Sequence, residues 1–365
     1  TLSTGVTLKG TQSSQIGLAD VDIYNMNYVK MVNNGSVDLS GSNSIGIYTN
    51  NGTITNNGTV LTTGTNSAAL YGENSTAITN SSAGIITVGS NGVGIYGTSY
   101  QNPLSVPTYG SGTISIQNDG MITANTGTEA VGIYANNNKP GGTVADSTVN
   151  LSTGTINIQN SENGTGVYVN KTTLTGGAAV ITVGKNSTGL YAKDSNVTLT
   201  GSTINLYGDN ALGLYLDGST NFTGSGIINI AGKNVVLFNM ASSGTISNNF
   251  AVGTVASGST YTIGNITGGV FEYTGNTALS SNGSLITGQN ASVYLNGSTI
   301  TANPGSTGAA AIALDGQYTG VTPLPAGMTA GIDGENTGTI TLGNSSVGLY
   351  GKNGTRLSNK GIITV

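Results

Sequence analysis

A short motif returns along this chain and constrains the fold more than any other feature. It is a Gly/Asn/Ser turn followed by a small residue, an aliphatic residue and Tyr. Examples are GSNSIGIYTN (41–50), VGSNGVGIYG (88–97), GKNSTGLYAK (184–193) and GNSSVGLYGK (343–352). Aligned on its last residue, the motif defines a slot filled by Tyr48, Tyr71, Tyr96, Tyr134, Tyr168, Tyr191, Tyr215, Phe238, Tyr294 and Tyr350, with Ala19, Phe271 and Ala313 as weaker members. The basic spacing is 23 to 25 residues, and longer spacings read as that unit plus an insertion.

Each unit carries a second signature upstream, G-x-I-x-[VI], as in GIITVGSN (84–91) and GTITLGNS (338–345). A third short stretch, such as NSTAITN (74–80), follows the slot. All three are three to five residues of alternating Ile, Val, Thr or Leu bounded by turn residues, which reads as strand. Three short strands per repeat cannot bury an apolar face alone, whereas stacked repeats can. The expected fold is all-β: a right-handed, three-stranded parallel β-helix, a β-solenoid of about 13 coils. The chain is expected to form a single β-helix over 1–365. Its opening TLSTGVTLKG and closing NKGIITV read as cuts in a longer protein.

Alternation assigns faces. In NGVGIYG, Val93 and Ile95 are expected to share one face and Gly94 and Tyr96 the other. The Tyr column is expected outside; the alternative, with the rings in the core, stays open because a buried ring would also want a Gly neighbour. Asn66, Asn91, Asn186, Asn210, Asn234 and Asn290 recur at equivalent corners and suit a stacked hydrogen-bonding ladder.

Insertions are expected at 20–35, 97–112, 135–154, 239–262 and 314–338, all following the slot and so on one edge. Loops on a rigid scaffold commonly carry binding residues. These hold five of the six prolines and the candidate partner-binding residues Tyr24, Tyr28, Tyr100, Tyr109 and Tyr318.

Composition narrows the chemistry. The chain has no His and no Cys, which removes His-based triads, thiol nucleophiles and Cys- or His-ligated zinc. Only 7% of residues are charged and the formal net charge is −5, so the basic footprint of a nucleic-acid binder is missing. The carboxylate pairs Asp20/Asp22 and Asp333/Glu335 are expected to be solvated loop residues. No catalytic, metal or cofactor-binding residue is assigned, no cofactor is expected, and the chain is not expected to be an enzyme. A carbohydrate-active β-helix enzyme is the remote alternative.

The stretches NNGTVLTTGTNSAALYG (56–72), GIITVGSNGVGIYG (84–97) and GTITLGNSSVGLYG (338–351) resemble the β-helical passenger regions of the large single-chain autotransporter adhesins of fusobacteria. The resemblance implies an outer-membrane, cell-surface location and attachment to host cells or other bacteria through a surface protein or glycan. It also implies a monomer, anchored only through a C-terminal membrane barrel outside this sequence. A purely structural stalk that presents a distal binding region is the closest rival.

Overall fold

In the computed structural model, residues 1–20, 29–99, 112–139, 141–279, 284–302, 310–320 and 323–365 are described. They form a parallel β-solenoid with three strands per turn. No α-helix occurs among them, and the single helical turn is the 3-10 segment Val144–Asp146. Thirteen described strands carry the slot position. The chain divides into two compact units, Thr1–Leu190 and Tyr191–Val365.

In the first unit three parallel ladders surround a narrow core. The slot ladder runs through Ile45–Asn50, Ala68–Glu73, Val93–Ser99, Val131–Asn137 and Thr165–Asn170. A second ladder runs through Gly52–Asn56, Thr76–Asn80, Ile114–Asn118, Ser147–Leu151 and Thr173–Gly176. The upstream signature supplies the third, through Thr59–Thr62, Ile85–Val88, Met121–Ala124, Thr155–Ile158 and Val180–Val183. Each ladder sends one aliphatic column inward. Ile47, Leu70, Ile95, Ile133 and Val167 meet Ile54, Ile78, Ile116, Val149 and Leu174, and the signature residues Val60, Ile86, Ile122, Ile156 and Ile181 complete the triangle. All of these are essentially inaccessible to solvent. Burying each such side chain contributes roughly 1.5–3 kcal/mol.

The Tyr column from Tyr48 to Tyr215 lies outside, as expected, with each ring half-buried, and Tyr350 is exposed. The face assignment within the motif needs correcting. Gly94 and Ile95 are both buried, while Val93 sits half-buried on the Tyr96 side. The pairing skips Gly94, so strict alternation breaks there. Space explains the glycine: a Cβ on Gly94 would lie 2.5 Å from the Gly132 carbonyl oxygen and 2.6 Å from Ile122 Cγ2.

The second unit keeps the three-sided plan but fuses two faces. Asn196–Leu206, Asn221–Ile230 and Thr245–Val255 run through the corner as long strands. Later turns separate again into Val270–Tyr273 with Asn276–Leu279, and Ser292–Leu295 with Thr299–Ala302. Here the slot assignment is corrected. Tyr215 pairs with Asn239, Asn239 with Asn265, Asn265 with Thr287, Thr287 with Ala313 and Ala313 with Tyr350. Phe238 is one residue out of phase: it aligns with Leu214 and is buried in the core against Phe222, Phe250 and Phe271. Phe271 and Tyr294 belong to the second ladder and are also buried. Residues 239–262 consequently hold no insertion; they are one ordinary turn carrying the strand Thr245–Val255.

The corner asparagines behave only partly as expected. Asn66, Asn91, Asn186, Asn210, Asn234 and Asn290 all take the left-handed backbone conformation, with φ between 48° and 56°. Their side chains are exposed, and links along this corner are long, as at Asn66 to Asn43 (3.4 Å) and Asn234 to Asn210 (3.4 Å). The continuous ladder lies at the end of the second-ladder strands. There the fully buried Asn33, Asn56, Asn80 and Asn118 donate in series at 2.8, 2.9 and 2.8 Å.

Candidate binding groove

The long segment after Ala310–Asp315 is fixed to the second unit by two buried carboxylates. This overturns the expectation that Asp333 and Glu335 are solvated: both are fully buried. Asp333 receives the Arg356 guanidinium in a two-pronged contact, Nη2 to Oδ1 at 3.0 Å and Nε to Oδ2 at 3.1 Å. It also accepts the backbone N–H of Arg356 at 2.7 Å and of Tyr318 at 2.9 Å. Glu335 pairs with Lys360 at 2.6 Å and accepts from the Thr329 backbone (2.6 Å) and hydroxyl (2.9 Å). Burial by itself raises a carboxyl pKa. At Asp333 the Arg356 and backbone donors outweigh it, and at Glu335 Lys360 and Thr329 do the same, so both carboxyls titrate below their ordinary values. Met328 adds an apolar plug, buried with its sulfur 3.5 Å from the Ser292 hydroxyl. Only the carboxylates are enclosed; the Arg356 and Lys360 side chains stay about half exposed to solvent, so the pairs are screened and add little net stability. Their effect here is positional: Tyr318 is tied to Asp333, just before the strand Gly334–Asn336, and Thr329 to Glu335 within it.

Beside this segment lies an open groove of about 620 Å³. Its floor is built from the corners that follow successive slot strands: Ser219, then Ser243–Gly244, then Gly268–Gly269, then Asn290. Small residues at three of the four corners leave the channel; Tyr318, Thr319, Gly320 and Pro323 wall it. The Tyr318 ring lies against Gly320: a Cβ there would fall within 2.4–2.6 Å of the ring and hydroxyl, so a larger residue would displace the ring. The polar floor is ordered. Ser219 donates its backbone N–H (2.9 Å) and hydroxyl (3.1 Å) to Asp194, and Asn221 accepts the Thr245 N–H at 3.1 Å while donating to Asn196 at 3.3 Å. No charged side chain is among the lining residues.

The Tyr column of the first unit is a different surface. Consecutive ring centroids from Tyr48 to Tyr168 are 5.3, 4.7, 4.8 and 4.7 Å apart. Tyr96, Tyr134 and Tyr168 stack face to face, at interplanar angles of 12° and 6°. The faces a flat ligand would use are therefore covered by neighbouring rings. At the other end both Tyr48 and Tyr71 donate to Glu73, and burial together with that carboxylate pushes the Tyr71 phenol up. The arrangement packs and shields the strand edges, each pair adding about 0.5–1.5 kcal/mol beyond its buried area.

Of the five candidate residues named from sequence, Tyr318 lies in the groove wall. Tyr24, Tyr28, Tyr100 and Tyr109 lie outside the described residues. Asp22, named with Asp20, does too. Sequence reasoning missed Arg356 and Lys360 as the partners of the D-x-E pair. One signal was available, since Arg356 is the only arginine in a chain with few charges. Among the described residues, no three His, Cys, Asp or Glu side chains come together as a metal-binding group. No protein-family model matches this chain, and no curated protein is significantly similar to it.

Proposed function

We propose that this chain is a non-enzymatic adhesive segment of a surface-displayed protein of the autotransporter-adhesin type. In this reading the first unit is support and the second carries the binding surface. The observation that carries the reading is the anchoring of Tyr318 and Thr329 on the enclosed carboxylates of Asp333 and Glu335, next to an open groove. Ordering a long loop costs about 1–2 kcal/mol per residue in backbone entropy, and a loop held in advance against that cost suits recognition. The sequence resemblance to fusobacterial passengers supports the surface location, with the membrane barrel supplied by another part of the protein. Partners are then host or bacterial surface proteins or glycans, met by a monomer. The self-covered Tyr ladder favours a supporting role for the first unit, and in that respect the stalk reading and the adhesive reading meet.

The test is attachment of beads coated with residues 1–365 to epithelial cells and to bacteria, beside beads carrying the Asp333→Asn variant. Saturable attachment that falls in the variant, with its strand circular dichroism intact, supports the proposal. Absent attachment by the wild type, or equal attachment by both, contradicts it.

A further inference from the structure

We infer that the corner groove of the second unit binds an extended, neutral glycan chain, with Tyr318 as the ring against which one sugar packs. The inference rests on the adhesive reading and gives it a ligand class.

Three properties of the groove lead there. The first is its repeat. The floor offers a polar or backbone corner once per turn, at Ser219, Ser243–Gly244, Gly268–Gly269 and Asn290. Stacked strands are 4.7–4.9 Å apart, comparable to the advance of one pyranose along an extended polysaccharide. An extended peptide repeats on one face only every two residues, roughly 6.6–6.8 Å, so its side chains fall out of step with these corners.

The second property is hydrogen-bonding character. The Ser219 hydroxyl spends its proton on Asp194 and keeps lone pairs as acceptors, while Asn221 keeps donor capacity beyond its bond to Asn196. Fixed acceptors and donors of this kind match sugar hydroxyls, which act as both. Tyr318 supplies the apolar wall that a pyranose C–H face needs. Its backbone is fixed by Asp333 and its ring is seated on Gly320, so little ordering remains to be done on binding.

The third property is charge. The ionised groups tied to the lining are Asp194, which accepts from Ser219, and the Asp333–Arg356 pair behind the Tyr318 backbone. A sulfated, phosphorylated or sialylated chain meets no unpaired cation in the lining and a carboxylate close by. That selects neutral sugars.

The experiment uses residues 1–365 with a panel of neutral hexose and N-acetylhexosamine oligomers from one to six units, and with sulfated and sialylated versions of the same backbones. Binding is measured by calorimetry, and cell attachment is measured in parallel. The expected result is binding of a neutral oligomer that tightens with length until the four corners are filled, with weaker binding of the anionic versions. Tyr318→Ala is expected to weaken it roughly tenfold or more, the loss of one well-packed aromatic anchor. Thr319→Arg, a change at an exposed wall residue, blocks the groove without touching the core and serves if Tyr318→Ala misfolds. Cell attachment without any neutral-glycan binding overturns this inference and leaves the adhesive reading standing. Neutral-glycan binding that neither variant weakens places the site elsewhere and also overturns it. Loss of both attachment and glycan binding in the wild-type protein overturns both.

Discussion

Single residues in this chain are chosen by space and backbone angle more than by side-chain chemistry. Gly94 is fixed by the 2.5 Å approach of the Gly132 carbonyl to where a Cβ would stand. Gly94→Val is therefore expected to cost about 1–3 kcal/mol through overpacking, read as a lower urea midpoint. The two classes of asparagine separate under substitution. Asn66 is exposed and needed for its φ of 56°, so Asn66→Gly is expected to change stability by only a few tenths of a kcal/mol. Asn80 is buried between Asn56 and Asn118, so Asn80→Ala strands a donor and an acceptor and is expected to cost about 1–3 kcal/mol for each group left unpaired. Equal effects in the two variants would contradict the distinction. The φ-bearing asparagines were legible in the sequence because turn residues recur at a fixed offset from the slot. The buried ladder was not, because Asn33, Asn56, Asn80 and Asn118 close second-ladder strands separated by 23, 24 and 38 residues, and the insertion hides the last step.

Among the strands, legibility followed the strength of the local pattern. The G-x-Y triplet placed every slot strand from Tyr48 to Tyr168 correctly, because a buried small residue, a buried aliphatic and an outward Tyr form a distinctive sequence. It failed at VVLFNMAS (235–242). There an aromatic residue occupies the inward aliphatic position and Asn239 the outward one. Aromatic identity misled where phase was decisive: a shift of one residue moves a side chain to the opposite face. The same error turned a regular turn into an apparent insertion at 239–262. Because the chain has no native cysteine, the corrected register has a clean test. The double variant Tyr215→Cys/Asn239→Cys is expected to close a disulfide under mild oxidation, since neighbouring in-register residues bring Cα atoms within the usual 4.4–6.8 Å. Tyr215→Cys/Phe238→Cys points its thiols to opposite sides of the strand and is expected to stay reduced; a thiol titration distinguishes them. Oxidation of the second pair alone would restore the sequence-based register.

For the molecule as a whole, the fold was readable from its repeat and the binding surface mostly was not. Tyr318 was named from loop composition alone. What fixes it is a pairing between adjacent turns, Asp333 with Arg356, and composition does not show which of fifteen acidic residues are buried. The enclosed carboxylates also set an acid limit. Asp333 and Glu335 titrate below their unfolded values, which lie near 3.9 and 4.3. Their stabilisation is therefore complete above about pH 5 and is lost progressively as pH falls through the unfolded and then the lower folded values. Amide exchange around Tyr318 and Thr329 is expected to stay slow at pH 6 and to accelerate beyond the intrinsic trend only below about pH 5. In Asp333→Asn it is expected to be fast at both. The most direct test of the account compares amide exchange of the intact protein with and without a saturating neutral oligosaccharide. New protection is expected only around Tyr318 and at the corners Ser219, Ser243–Gly244, Gly268–Gly269 and Asn290. Protection on the Tyr48–Tyr168 strands instead, or no protection anywhere, would contradict it.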